Sequence, residues 1–233
     1  MEGPNPGDIF SHAEMCTFEG MSLQRGMNFQ SGGRPSIILM SVRKGAPYSD
    51  RLEDDGRVLI YEGHDIPRQR GGPDPKSVDQ PAALPSGKPT QNGLFAQAAE
   101  ASSKGERDPE LVRVYEKIKP GIWTFNGVFQ LSDVWQEQAD GRQVFKFRLD
   151  LVDSQVVQGE VETDNLAHSR MIPSSVKLEV WKRDEGKCVE CGSTDNLHFD
   201  HILPFSKGGT SLLPRNIQLL CARHNLKKSD RIG

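Results

Sequence analysis

Two short pairs near the end of the chain, Cys188-x2-Cys191 and Cys221-x2-His224, constrain its fold more than any other feature. They stand 29 residues apart, and the remaining cysteine, Cys16, lies far away. Three clustered cysteines cannot all pair as disulfides, and a reducing compartment would not maintain such bonds. Two knuckles of this form instead present four ligands to one tetrahedral ion, and three thiolates with an imidazole suit structural Zn2+. A module of about 60 residues has little core of its own, so metal binding worth on the order of 10 kcal/mol is a large part of its stability.

Between and after the knuckles lie Asp200-His201, Asn216 and Asn225, with intervals His201-x14-Asn216-x8-Asn225. With the flanking cysteines and Lys227-Lys228, this pattern resembles the HNH (ββα-metal) nucleases in their H-N-N variant, over residues 175–233. The resemblance implies a zinc-stabilised β-hairpin followed by a helix that clasps one catalytic divalent cation. The first strand is expected at 197–202, a loop at 204–216 and the helix at 217–228. Hydrolysis of an anionic phosphodiester needs a base to activate water and a cation to stabilise the leaving oxygen. By resemblance His201 is the general base, Asp200 and Asn225 are the cation ligands, and Asn216 holds the loop that orients His201. Carboxylate, amide and water oxygens suit Mg2+ or Mn2+. His224 either completes the zinc knuckle or binds the catalytic cation; the x8 interval to Asn225 favours zinc. His198, three residues before His201, falls on the opposite strand face from it and is read as structural.

The first 152 residues read as mainly β. Apolar, β-branched runs at 35–42, 57–61, 111–115, 122–135 and 144–149 are bounded by Gly, Pro and Asp, and Asp140-Gly141 is a hairpin turn signal. The Pro- and Gly-rich stretch 64–92 reads as a long surface loop made basic by Arg68, Arg70, Lys76 and Lys88. A short helix is expected at 93–104 with Asn92 as its N-cap. The class is therefore α+β: a twisted sheet closing toward a barrel with flanking helices (1–152), a polar linker (153–173), and the metal-stabilised module (174–233), opened by a helix that Ser174 caps and that runs to about 185.

Tyr48, Asp50 and Tyr61 sit in or beside the early strands. Two phenol rings and a carboxylate are ordinary core residues on pattern alone, or a holder for an extruded base. Tyr48-Ser-Asp50, Asp54-Asp55-Gly56, Leu59-Ile-Tyr61-Glu-Gly63 and Phe125-Asn126-Gly127-Val128-Phe129 through Val134-Trp135 resemble the SRA (YDG) domain over about residues 7–152. Its Tyr-Asp-Gly signature reads Phe125-Asn126-Gly127 here. The resemblance implies base flipping, with Tyr48 and Tyr61 sandwiching a modified cytosine and Asp50 bonding its Watson–Crick edge. Arg25, Asn28, Arg68 and Arg70 either contact the duplex or are solvated.

Net charge is −3, with residues 171–233 carrying 10 Lys/Arg against 7 Asp/Glu and the rest 19 against 25. This neither excludes nucleic acid nor points to it, since phosphate contacts depend on local patches. No apolar run of about 18 residues and no leader-like start appear, so a cytoplasmic protein without membrane contact is expected. Together these readings imply a metal-dependent, type IV-like restriction endonuclease acting on double-stranded DNA that carries 5-methylcytosine or 5-hydroxymethylcytosine. One such site cuts one strand, so a homodimer is expected. The alternatives are an HNH nicking or homing enzyme indifferent to modification, and a binding module that does not cut.

Overall fold

The computed structural model describes residues 3–152, 171–204 and 207–228. Most of the expected linker and the last five residues lie outside this set. In chain order the elements are β1 (Ile9–Ser11), α1 (His12–Glu19), β2 (Met27–Asn28), β3 (Ser36–Met40), β4 (Arg51–Glu53), β5 (Val58–Glu62), α2 (Gln91–Ser103), β6 (Leu111–Lys119), β7 (Ile122–Ala139), β8 (Arg142–Leu151), α3 (Ser174–Arg183), β9 (Leu197–His201), β10 (Ile217–Cys221) and α4 (Ala222–Lys228). No helix among the described residues is long and apolar enough to cross a membrane.

Strands β1 to β8 form one sheet in the order β2-β3-β6-β7-β8-β5-β4, with β1 also pairing β7. Among the described residues only β3 and β6 run parallel, joined by a crossover long enough to carry β4, β5, the 64–90 loop and α2. Among the described residues β2 and β4 do not pair, so the sheet expected to close toward a barrel stays open there. Helix α2 lays Phe95, Ala96, Ala98 and Ala99 on Met40, Leu59, Val112, Phe129 and Phe147. The β7–β8 hairpin turns where expected: Asp140 and Gly141 adopt φ of 52° and 81°, the left-handed pair that matches strand twist.

Several local expectations need correction. Helix α2 starts at Gln91, because Thr90 Oγ1 accepts the Gly93 N–H (3.2 Å). Asn92 instead trades hydrogen bonds with the His64 backbone, accepting from its N–H and donating to its carbonyl, both at 2.8 Å. Ser174 is not a cap either: Pro173 precedes α3, and the Ser174 hydroxyl is buried without a partner. Helix α1 was not anticipated, although Ser11 and Glu14 form a reciprocal capping box. Residues 217–221, expected in the last helix, form β10, pairing Ile217 with His201 and Cys221 with Leu197. A short apolar run has no periodicity to separate strand from helix, and the open edge of β9 supplies the partner that decides it.

The two parts share packing. Ile118 of β6 is buried in one cluster with Val176, Val180, Leu197, Phe199, Ile217 and Leu219, and Ile9 and Ile122 pack against it. Met171 belongs to the core of the large sheet, whereas Ile172 belongs to this second cluster. Lys177 of α3, 2% exposed, donates to Glu116 Oε2 (2.9 Å) and Asn126 Oδ1 (2.7 Å). Asn126 also donates to Glu116 Oε2 (3.1 Å), closing a buried triangle. Lys177→Met leaves the Glu116 charge buried and unpaired, so unfolding in urea should show a loss of about 3–5 kcal/mol. Adding Glu116→Gln should recover much of it; a single variant as stable as the parent would mean the triangle holds nothing together.

Candidate functional site

The Cys/His knuckle forms where three chain segments meet. Cys188 and Cys191 lie on the turn after α3, Cys221 ends β10, and His224 lies in the first turn of α4. Their ligand atoms all fall within 4.8 Å of one another. His224 Nδ1 is 3.3 Å from Cys188 Sγ and 3.4 Å from Cys221 Sγ, and Cys191 Sγ is 3.8 Å from Cys221 Sγ. Metal–ligand bonds of about 2.3 Å to sulfur and 2.0 Å to nitrogen, arranged tetrahedrally, place sulfurs about 3.8 Å apart and sulfur and nitrogen about 3.5 Å apart. The donor set and its spacing therefore fit one tetrahedral ion, and His224 sits with the cysteines. Burial opposes ionisation of Cys188, yet the backbone N–H groups of Cys221, Cys191 and Glu190 and the His224 ring outweigh it and pull the thiol down to about 6.

A cleft of about 350 Å³ opens beside this knuckle, lined by Asp200, His201, Asn225 and His198, and by Pro6 and Asp8 from the start of the chain. Asp200 Oδ2 accepts from Lys228 Nζ (2.5 Å) and from Gln218 Nε2 (3.3 Å), and the same Lys228 ammonium donates to the His201 carbonyl. His201 Nε2 is 2.9 Å from Ser211 Oγ. Asn216 does not line the cleft; it ties the loop behind it. Its Oδ1 accepts the Leu203 N–H (2.9 Å), and its Nδ2 donates to the carbonyls of Thr210 (3.0 Å) and Leu203 (3.3 Å). The loop is tight enough that a side chain at Gly209 would meet the Leu203 carbonyl at 1.9 Å. Lys228 entered the sequence reading only as part of the Lys227-Lys228 pair and Ser211 not at all; the fold brings these two to Asp200 and His201.

The structure also gathers the N-terminal candidates, together with one residue that was not a candidate. His64 stacks on Tyr48 (centroids 5.1 Å apart, planes at 13°), and its Nε2 is hydrogen-bonded to the Tyr61 hydroxyl at 2.9 Å. Tyr61 is 1% exposed, and burial, with Asp50 nearby, raises its phenol well above the usual range. Burial also pushes His64 down to about 4, helped by Arg25 and Lys76, so the imidazole is neutral. Asp50 accepts backbone N–H groups from Ser41 (3.0 Å) and Glu62 (3.2 Å). Burial nevertheless pushes its carboxyl up to about 7 against those two donors, with the Glu62 charge adding to the rise. Lys76 Nζ lies 4.2 Å from the centre of the Tyr48 ring. Arg25, Arg68 and Arg70 are exposed; Arg68 reaches Asp74 at 3.7 Å, and Asn28 donates to the Arg25 carbonyl.

Residues 188–231 match the HNH endonuclease family. No curated protein matches the chain. Among solved structures it is similar to the SRA domain of SUVH5 in complex with hemi-methylated CG DNA, at 25% identity over 65% of this chain and 91% of that one, with a TM-score of 0.45. The same domain bound to fully hydroxymethylated CG DNA is similar at 23% identity, over 64% and 90%, with a TM-score of 0.46. The modification-dependent TagI restriction endonuclease is similar at 19% identity over 96% and 76%, with a TM-score of 0.42.

The knuckle geometry makes a direct prediction. Metal analysis of the purified chain should find one tightly held ion, which Cys221→Ser should lose together with cooperative melting of the C-terminal module. A variant that keeps both would remove the thiol from the ligand set.

Proposed function

We propose that the protein is a modification-dependent DNA endonuclease with a structural Zn2+ on Cys188, Cys191, Cys221 and His224. The observation that carries this reading is the convergence of Asp200, His201 and Asn225 on one cleft inside a segment that matches the HNH endonucleases. Asp200 and Asn225 would supply the protein oxygens for a divalent cation, Mg2+ or Mn2+, which when bound would offset charge on the scissile phosphate and its leaving oxygen. Lys228 holds the Asp200 carboxylate in place and adds positive charge beside the phosphate site. His201 takes the proton from the attacking water; Ser211 sets the tilt of its ring, and Asn216 fixes the loop that carries Ser211.

The N-terminal pocket supports recognition of an extruded cytosine. That base presents an acceptor, N3, next to a donor, the N4 amine. A protonated carboxyl offers the complementary donor and acceptor, and Asp50 keeps its proton to about 7. Tyr48 offers a stacking face now covered by the His64 imidazole. That ring gives way to the incoming base, while Tyr61 closes the other side. One cleft hydrolyses one strand, so cutting both strands takes two copies on the DNA.

Matched plasmids with and without 5-methylcytosine, incubated with Mg2+ or Mn2+, test the reading. Products from the modified plasmid alone are expected. Equal cutting of both favours a nuclease indifferent to modification, and binding without products favours a reader that does not cut. His201→Ala should abolish cleavage and leave binding to modified DNA intact; loss of both would make His201 structural. Asp50→Ala should weaken the preference for modified DNA. Because the bound form needs the Asp50 proton, affinity for modified DNA should be flat below pH 7 and fall about tenfold per unit above it. A flat profile to pH 9 removes the proton from recognition.

A further inference from the structure

Three side chains at the cleft carry a polar group without a hydrogen-bond partner among the described residues. Asp200 spends Oδ2 on Lys228 and Gln218, and no described residue bonds its Oδ1. The Asn225 amide makes no hydrogen bond among them. The third group is Nε2 of His198, which is shielded from solvent and unpartnered. Asp200 and Asn225 are half-exposed and open to water or an ion, whereas a buried ring nitrogen without a partner is uncommon in a native interior and asks what meets it.

His198 lies two residues before Asp200 on β9, so the two side chains share one strand face even though His201 is on the other. Its Nδ1 is 2.6 Å from Asp8 Oδ1, and its backbone bridges Asp8. The segment before β1 is held there at both ends: Gly7 donates to the Phe125 carbonyl of the large sheet (2.9 Å) and accepts the Phe199 N–H (3.1 Å). A carboxylate can only accept, so Nδ1 carries the proton, and in the neutral ring the lone pair is on Nε2. A carboxylate bonded to one ring nitrogen with the other left to an ion is the usual arrangement around a ligating histidine.

We propose that His198 is a third protein ligand of the divalent cation held by Asp200 and Asn225, aimed by Asp8. The assignment rests on the nuclease reading of Asp200 and Asn225 and adds two residues to it. The nuclease site is then completed by the N-terminal part of the chain, since Asp8 precedes the large sheet. One imidazole nitrogen with carboxylate and amide oxygens favours Mn2+ over Mg2+, which prefers an all-oxygen shell.

Mn2+ is the probe, added to the full chain carrying His201→Ala so that neither the base nor turnover contributes. Electron paramagnetic resonance should show bound Mn2+, with a nitrogen coupling of imidazole type in the pulsed spectrum. Adding His198→Ala should remove the coupling and weaken Mn2+ binding at least tenfold. Asp8→Asn leaves the ring in place and should weaken binding by about 10- to 100-fold, as loss of an orienting carboxylate does elsewhere; it decides the matter alone if His198→Ala does not fold. An unchanged coupling and affinity in both variants overturns the assignment. If Asp200→Ala then still abolishes binding, the nuclease reading survives that loss. If the parent binds no Mn2+, or Asp200→Ala binds it unaltered, both fall.

Discussion

The geometry of the C-terminal module hangs on four ligand atoms drawn within 4.8 Å of each other. Cys221 is at once the last residue of β10 and the residue before α4, so the ion it would share with Cys188 and Cys191 fixes where the strand stops and the helix starts. His224 carries the clamp into the helix, and Asn225 follows directly. Asp200 faces the cleft from β9, which is held in register by β10. A small module has few apolar contacts to set such positions, and an ion with fixed bond lengths would take over that task.

The same module is not a bead on a string. Ile118 from the large sheet sits in its core, the Lys177 ammonium is sunk against Glu116 and Asn126, and Asp8 reaches His198 across the junction. A buried ion pair is weak evidence of stability, because desolvation offsets much of its attraction. Its geometric demand is strict, however: an ammonium with three donors must find acceptors in fixed directions, and a slid interface leaves it stranded. Asn126 stands in the Phe-Asn-Gly stretch of β7, so this strand of the large sheet also anchors α3 of the C-terminal module.

In the N-terminal pocket, burial acts on two groups in opposite senses. It raises the Asp50 carboxyl to about 7 and lowers the His64 ring to about 4, because in each case the neutral form is the one a dry site tolerates. The result is a pocket with hydrogen-bonding groups but little net charge of its own, which suits a neutral heterocycle better than a phosphate. Arg25 and Arg68 stay at the surface.

Much of this was legible in the residue order. Cysteine and histidine intervals announced the metal module, and apolar alternation with Asp140-Gly141 announced the strands and their hairpin, because ligand spacing and turn chemistry are local properties. The path of the chain in space was not legible: strand β10 hid in an apolar run, Asn92 and Ser174 looked like caps, and His198 looked idle beside His201. The strand pairs with β9, Asn92 bonds the His64 backbone and His198 bonds Asp8, partners that the local sequence does not name. Local sequence determined which chemical groups this protein carries and at what intervals. Tertiary structure alone decided which of them meet, since a hydrogen bond or a shared ion depends on distances of a few ångströms that chain separations of 28 or 190 residues do not encode.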